Sequence, residues 1–224
     1  MHNMNILEAM KQRHSVRQYT DQPIDEEVLK ALQTEIETCN QESGLSIQLV
    51  TNEPKAFDSF MAHYGKFSGV TNYMALVGKK SNMLDELCGY YGERLVLKAQ
   101  QLGLNTCWVA LTYKKIPGAF TVNKGEKLTV VIALGYGKTQ GTAHKSKSME
   151  AVSNITPDSP EWFKKGVETA LLALTAMNQQ KFSLSYADRK VSARAGAGLY
   201  AKMDLGIVKY HFELGAGKTN FEWN

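Results

Sequence analysis

The stretch ILEAMKQRHSVRQY occupies Ile6 to Tyr19. Asn5 and Glu8 are placed as a capping box, and Ile6, Leu7 and Met10 give a short helix its apolar face. That helix runs into Arg13-His14-Ser15-Val16-Arg17. Two guanidinium groups four residues apart, with an imidazole and a hydroxyl between them, can grip a phosphate at one end and a polar ring edge at the other. An RxxxR pair by itself is more often solvated surface, so the surroundings have to decide its meaning.

Working outward, Asp25 reads as the N-cap of a second helix, with Glu26 and Glu27 favouring the positive end of its dipole. Val28, Leu29, Leu32 and Ile36 form its buried stripe. Leu45, Ile47 and Leu49 alternate as a half-buried strand, and Pro54 is expected to open a short helix through Phe57, Phe60 and Met61. Tyr73 to Val77 reads as a buried strand, followed by a long helix from about Ser81 to Leu102, stopped by Gly103 at a position that requires positive φ. Thr106 to Val109 is a short apolar strand. LTVVIAL, Leu128 to Leu134, is a strong strand with both faces buried, ending at Gly135-Tyr136-Gly137. Lys138 to Ser148 is a basic loop.

Ser159 and Pro160 supply an N-cap and first helical residue for another helix, expected to reach about Ala176. Phe182, Leu184 and Tyr186 alternate as a strand. Residues 187–199 read as a Gly/Ala/Arg-rich loop, and a last helix is expected from Ala201 to Leu214, ended by Gly215. Helices and strands mix without a βαβ rhythm, so the class is α+β, a mixed or antiparallel sheet flanked by helices.

The 224 residues are 43% hydrophobic and 21% charged, with a formal net charge of +4. That balance suits an anionic small ligand and lacks the dense basic stripe of a nucleic-acid binder. The three cysteines, Cys39, Cys88 and Cys107, form no CxxC pair, which argues against a disulfide framework or a zinc site and for a reducing compartment. His63, His144 and His211 have no partners at metal-ligand spacing. No signal-peptide core and no apolar run near the roughly 20 residues of a membrane helix is found, so a cytoplasmic location without membrane attachment is expected.

Parts of the chain repeat. RLVLKAQQLGLN, Arg94 to Asn105, matches GIVKYHFELGAG, Gly206 to Gly217, at Leu95/Ile207, Val96/Val208 and Leu102/Leu214. A helix ending in Asn-Gln before a strand also occurs twice, at Asn40-Gln41 and Asn178-Gln179. The second pass lacks the counterpart of residues 55–80 and a late strong strand. The expected organisation is a first half, 1–150, and a degenerate second half, 151–224.

The Ile6–Tyr19 stretch resembles the N-terminal signature of the FMN-dependent nitroreductase family, in which a short helix runs into Arg-(Arg/His)-Ser-x-(Arg/Lys). GLNTCWV, Gly103 to Val109, is similar to the family's Gly-Leu-Gly-Thr-Cys-Trp-Ile. VVIALGYG, Val130 to Gly137, is similar to its last core strand and Gly-Tyr turn, and His144-Lys145-Ser146-Lys147 falls where the family has a basic loop. The resemblance implies that Arg13 and Ser15 bind the FMN phosphate and ribityl end, with His14 along the ribityl chain. Arg17 would face N1 and the C2 carbonyl, where reduction builds negative charge. Lys145 and Lys147 would form a second phosphate clamp, and Lys66 would reach the flavin edge. A backbone N–H at Ala110 or Leu111 would meet N5, where many relatives carry glycine or an acidic residue followed by glycine, and a bulky Leu111 would narrow the space above the ring or change its angle.

The family's Ala-Pro-Ser-x-x-Asn-x-Gln segment, which reaches the partner subunit's flavin, is matched poorly at Glu37–Gln41 and better at ALTAMNQQKF, Ala173 to Phe182. Thr175 and Asn178 would then face the cofactor, although Asn178 also suits a plain left-handed helix end. A tandem pseudo-dimer with one working site follows, with a monomer favoured and a homodimer possible. The implied activity is ping-pong hydride transfer from NAD(P)H through FMN to a nitroaromatic, quinone or similar small electron acceptor, with no side-chain acid or base required. A flavin store or sensor without turnover is the alternative.

Overall fold

A computed structural model describes residues 4–224. Two compact units divide the chain: one comprises the residues up to Leu84 together with Arg94–Ala143, the other Asp85–Glu93 together with His144–Asn224.

The first unit is built on a four-stranded antiparallel sheet, ordered β1-β2-β4-β3, from β1 (Gln48–Val50), β2 (Asn72–Lys79), β3 (Asn105–Val109) and β4 (Glu126–Gly135). The central strands β2 and β4 bury both faces, as their continuous apolar runs require. Tyr73, Ala75, Val77, Val131 and Ala133 pack on one face against Phe57, Phe67 and Tyr19. Before the sheet come α1 (Ile6–Gln12) and α2 (Glu26–Ser43). The expected capping box on α1 forms, with Asn5 Oδ1 accepting from Glu8 N at 2.9 Å and Glu8 answering to Asn5 N at 3.1 Å. Asp25 is the N-cap residue of α2, but its side chain makes no capping bond.

Several boundaries differ from the sequence reading. The strand expected over Leu45–Leu49 is only Gln48–Val50. Pro54 opens a turn, and α3 is Phe60–Tyr64, started where the Ser59 hydroxyl accepts from Ala62 N. The long helix α4 is Leu84–Gln101, and Gly103 has φ +82° as expected.

In the second unit, α5 is Glu161–Ala170, six residues shorter than expected at its end, and its N-cap is Pro160 rather than Ser159. The segment expected as loop contains β6 (Lys190–Ala195), paired antiparallel with β5 (Phe182–Ala187) through a tight turn in which Asp188 and Arg189 both have positive φ. Asp-Arg hides a turn that Asn-Gly would have announced. A final β7 (Glu222–Trp223) joins β6 in parallel. The last helix, α6 (Ala201–Ala216), passes through Gly215 and stops at Gly217, φ +75°. Gly215 is there for contact: a Cβ on it would lie 2.1 Å from Thr169 Oγ1 and 2.6 Å from Lys165 O of α5. Phe163, Phe212, Phe221, Trp162 and Trp223 form the aromatic core, with Trp162 and Phe221 stacked at 5.8 Å.

Among the described residues no helix is long and apolar enough to cross a membrane, and no group of His, Cys, Asp and Glu could hold a metal ion.

Candidate functional site

The Arg13–Arg17 segment leaves α1 in extended form and is stitched into the first unit along both edges. Val16 N donates to Thr106 O at 3.0 Å, Tyr19 N to Ser68 O at 2.9 Å, Ser68 N to Arg17 O at 3.0 Å, and Lys138 N to Gln18 O at 2.9 Å. The Tyr19 hydroxyl donates to Val16 O at 2.7 Å and closes the segment on itself. Backbone bonds of this kind satisfy the main chain of a short connector, which an unsupported loop leaves to water.

Two glycines permit the close approach. Gly69 has φ +70°, and a Cβ on it would sit 2.4 Å from Tyr19 O. Gly141, φ +75°, faces His14 and Ser15 so closely that a Cβ would meet His14 Cβ at 2.7 Å and Ser15 O at 3.0 Å. The basic loop after β4 therefore turns back over His14-Ser15, and Asn105 anchors it by accepting from Gly137 N at 3.0 Å and donating to Gln140 Oε1 at 2.9 Å.

Arg13 is buried, at 2% exposure, and Arg17 is exposed. Burial raises the Tyr19 hydroxyl and the Cys107 thiol above their ordinary values, and Arg17 and Arg13 both oppose the rise, so both cations act on this one corner of the unit. Ser15 likewise opposes the rise of the Cys107 thiol. Next to this strand pairing, the Thr106 hydroxyl is buried without a hydrogen-bond partner. Lys66 is exposed with φ +63°, one residue before Phe67 and two before the Ser68 that pairs with the Arg17–Tyr19 strand. Ala110 and Leu111 follow β3 directly, and Leu111 is 69% exposed.

The second unit brings Lys145, Lys147, Thr175 and Asn178 into one network around a residue the sequence reading passed over, Gln180. Asn178 Nδ2 and Gln180 Nε2 both donate to Lys145 O at 2.9 Å. The Lys147 ammonium donates to Gln180 O at 2.8 Å, and Lys147 N to Gln180 Oε1 at 2.8 Å. Gln180 N donates to Thr175 Oγ1 at 2.9 Å. Asn178 has φ +53°, the left-handed geometry anticipated for it. The sequence signal for Gln180 was present in the Asn178-Gln179-Gln180 run. Nothing in the sequence pointed to Asp204, whose carboxylate accepts from Ala176 N at 2.9 Å and Gln179 Nε2 at 2.7 Å.

A protein-family model described as "Putative TM nitroreductase" matches residues 5–216. No curated protein matches the sequence. Among solved structures, the chain is similar to a protein from Thermotoga maritima described as a putative nitroreductase, with TM-score 0.70 and 22% identity over 98% of this chain and 87% of that one. It is also similar to a nitroreductase family protein from Streptococcus pneumoniae, with TM-score 0.53 and 15% identity, over 66% of this chain and 98% of that one. A third likeness, TM-score 0.50 and 16% identity over 69% of this chain and 96% of that one, is to a protein from Desulfovibrio desulfuricans described as a putative nitroreductase in complex with FMN.

Proposed function

The chain belongs to the nitroreductase family, and from that premise we propose that it is an FMN-dependent oxidoreductase passing a hydride from NAD(P)H to a small electron acceptor. The observation that carries the reading is the pinned Arg13–Arg17 segment, with one guanidinium buried and the other exposed within a rigid strand pairing. Its donor set fits a flavin mononucleotide. Arginine, a hydroxyl and an imidazole suit a phosphate dianion and a polyol, and the Thr106 hydroxyl beside Ser15 has no partner within the protein. When bound, FMN supplies the two-electron chemistry at N5.

The chain's own residues bind and orient. Arg13 and Ser15 hold the phosphate and ribityl end, His14 lies along the ribityl chain, and Arg17 provides a fixed cation for the N1–C2=O edge. Lys66 serves the flavin edge, and the backbone N–H groups of Ala110 and Leu111 serve N5. The side chain at position 111 does not alter a backbone donor, so leucine in place of glycine is compatible with that contact. No side-chain acid or base is required of the protein.

We further propose that the chain is a tandem pseudo-dimer, with residues 1–150 as the complete half and 151–224 as the degenerate one. Lys145 and Lys147 of the basic loop then join Thr175 and Asn178 of the degenerate half in serving the cofactor. The S. pneumoniae and D. desulfuricans proteins are matched almost whole by about two thirds of this chain, which leaves a remainder for such a second half. The test is direct. The purified protein is loaded with FMN, its stoichiometry and mass are measured, and bleaching by NADH or NADPH is followed by stopped flow. One flavin per 24.9 kDa particle with rapid bleaching is expected. Bound flavin that no nicotinamide reduces would favour a flavin store or sensor, and absence of flavin binding would end the assignment.

A further inference from the structure

Between Thr175 and Lys181 the backbone is contorted. Met177, Asn178 and Gln180 have φ of +52°, +53° and +44°. Side chains other than glycine's meet steric resistance there, and a cluster of such residues persists only where its surroundings impose it. Here the surroundings include a carboxylate. Asp204, 3% exposed in the first turn of α6, accepts from Ala176 N through Oδ1 and from Gln179 Nε2 through Oδ2.

Asp204 lies in the apolar first half of its helix. Its neighbours Met203, Leu205, Ile207 and Val208 are buried apolar residues. A buried carboxylate is costly unless hydrogen bonds compensate it. Neither of those two bonds caps α6: both oxygens are engaged with the 175–180 turn. The outcome of that engagement is outward presentation, since Met177 is 83% exposed and Asn178 is exposed beside it.

We propose that Asp204 is a positioning residue: by holding Ala176 and Gln179 it fixes the left-handed turn from which Asn178 serves the cofactor. The last step rests on the functional reading above, whereas the hold on the turn does not.

The test uses the full chain with Asp204→Ala, Asp204→Asn and Gln179→Leu. Hydrogen exchange of the amides at 176–180 and FMN affinity by fluorescence titration are both read. In Asp204→Ala the exchange should accelerate about 100-fold and FMN binding weaken roughly tenfold, as expected for losing charge-assisted hydrogen bonds. Asp204→Asn, which keeps one acceptor for Ala176 N, should recover part of both. If Asp204→Ala does not fold, Gln179→Leu removes one of the two donors, together with its bond to Leu199 O, while leaving the residues of α6 unchanged, and should reproduce a smaller version of each change. Unchanged exchange in Asp204→Ala, or faster exchange with unchanged FMN affinity, would overturn the proposal. A wild-type chain that takes up no FMN removes the flavin reading, and the exchange rates alone then decide whether Asp204 holds the turn.

Discussion

The Nε2 of His211 on α6 lies 3.0 Å from Oε1 of Glu93 on α4, with both side chains sealed from water. The other ring nitrogen, Nδ1, is 3.1 Å from Thr169 O, which can only accept, so Nδ1 carries hydrogen. One proton then lies between Nε2 and the carboxylate, whichever atom holds it. Deleting one side of a buried pair leaves the other in a medium that solvates it poorly. His211→Ala should therefore cost about 3–5 kcal/mol, read as a lower guanidinium midpoint with an unchanged slope. Glu93→Gln, which keeps an acceptor facing Nε2, should cost less. A midpoint that does not move in His211→Ala would show that the pair contributes nothing to stability.

The same two helices meet backbone to backbone. A Cβ on Gly89 would stand 2.0 Å from Met203 O, and one on Gly206 2.0 Å from Glu86 O. Real Cβ atoms do not come that close to a carbonyl oxygen, so alanine at either position must push the helices apart. Gly89→Ala should lose about 3 kcal/mol, the upper end for overpacking. Gly103→Ala is the control: a Cβ there meets nothing within 4 Å, and only its φ of +82° is unfavourable. That variant should lose about 1 kcal/mol. Equal melting temperatures for the two variants would sink the distinction.

These glycines show what the sequence could and could not disclose. Gly103 was legible because a helix stop is a local event, declared by the end of an apolar period. Gly89, Gly206 and Gly215 were not, because their reason is a neighbouring helix far along the chain, and Gly215 was mistaken for a stop on the same local logic. The apolar runs of β2 and β4 and the Asn5/Glu8 capping box disclosed themselves fully. β6 did not, since its run KVSARA carries only weak alternation. The Arg13–Arg17 segment was legible as residue types, but it and the two residues after it are held by Thr106, Ser68 and Lys138, partners that only the fold supplies. Asp204 was invisible for the same reason: its partners, Ala176 N and Gln179 Nε2, lie on another segment and leave no mark in the helix's own pattern.

All three cysteines are buried and unpaired with one another. Burial pushes the Cys39 thiol up to about 12, with Arg94 pulling it down less strongly, and burial likewise raises Cys107. The thiolate is the reactive species, so neither of these two offers one near neutrality. Iodoacetamide at mildly alkaline pH should leave the native protein unmodified and alkylate three sites after denaturation. Prompt modification of any cysteine in the native protein would contradict the packing described above.

Burial also raises the Asp204 carboxyl above its ordinary 3.8, against the opposing bonds from Ala176 and Gln179. A carboxyl that holds its proton more tightly when folded adds stability below its unfolded value and loses that contribution as pH rises through its folded value. The stability of the wild type relative to Asp204→Asn should thus fall as pH climbs from acid toward neutral. Urea unfolding of both proteins at a series of pH values measures the difference. A gap that is constant with pH would mean that the carboxyl titrates alike in the folded and unfolded chains.

Arg17 offers the cleanest test of the functional reading, because it is exposed while Arg13 is buried. Replacing Arg13 would confuse loss of binding with loss of fold. Arg17→Gln should leave the unfolding midpoint unchanged, since an exposed side chain on a segment held by its backbone contributes little to stability. It should still bind FMN through the remaining phosphate contacts. On the proposed placement it removes the fixed cation at the edge where reduction places negative charge, and a preorganised electrostatic contact of that kind is worth about 100-fold in rate. Bleaching by NADH or NADPH should slow by about that factor, and the flavin midpoint potential should fall, because the reduced form loses its counter-charge. A variant with wild-type reduction rate and potential would show that Arg17 faces away from the ring, and the assignment of the pyrimidine edge to this residue would have to be given up.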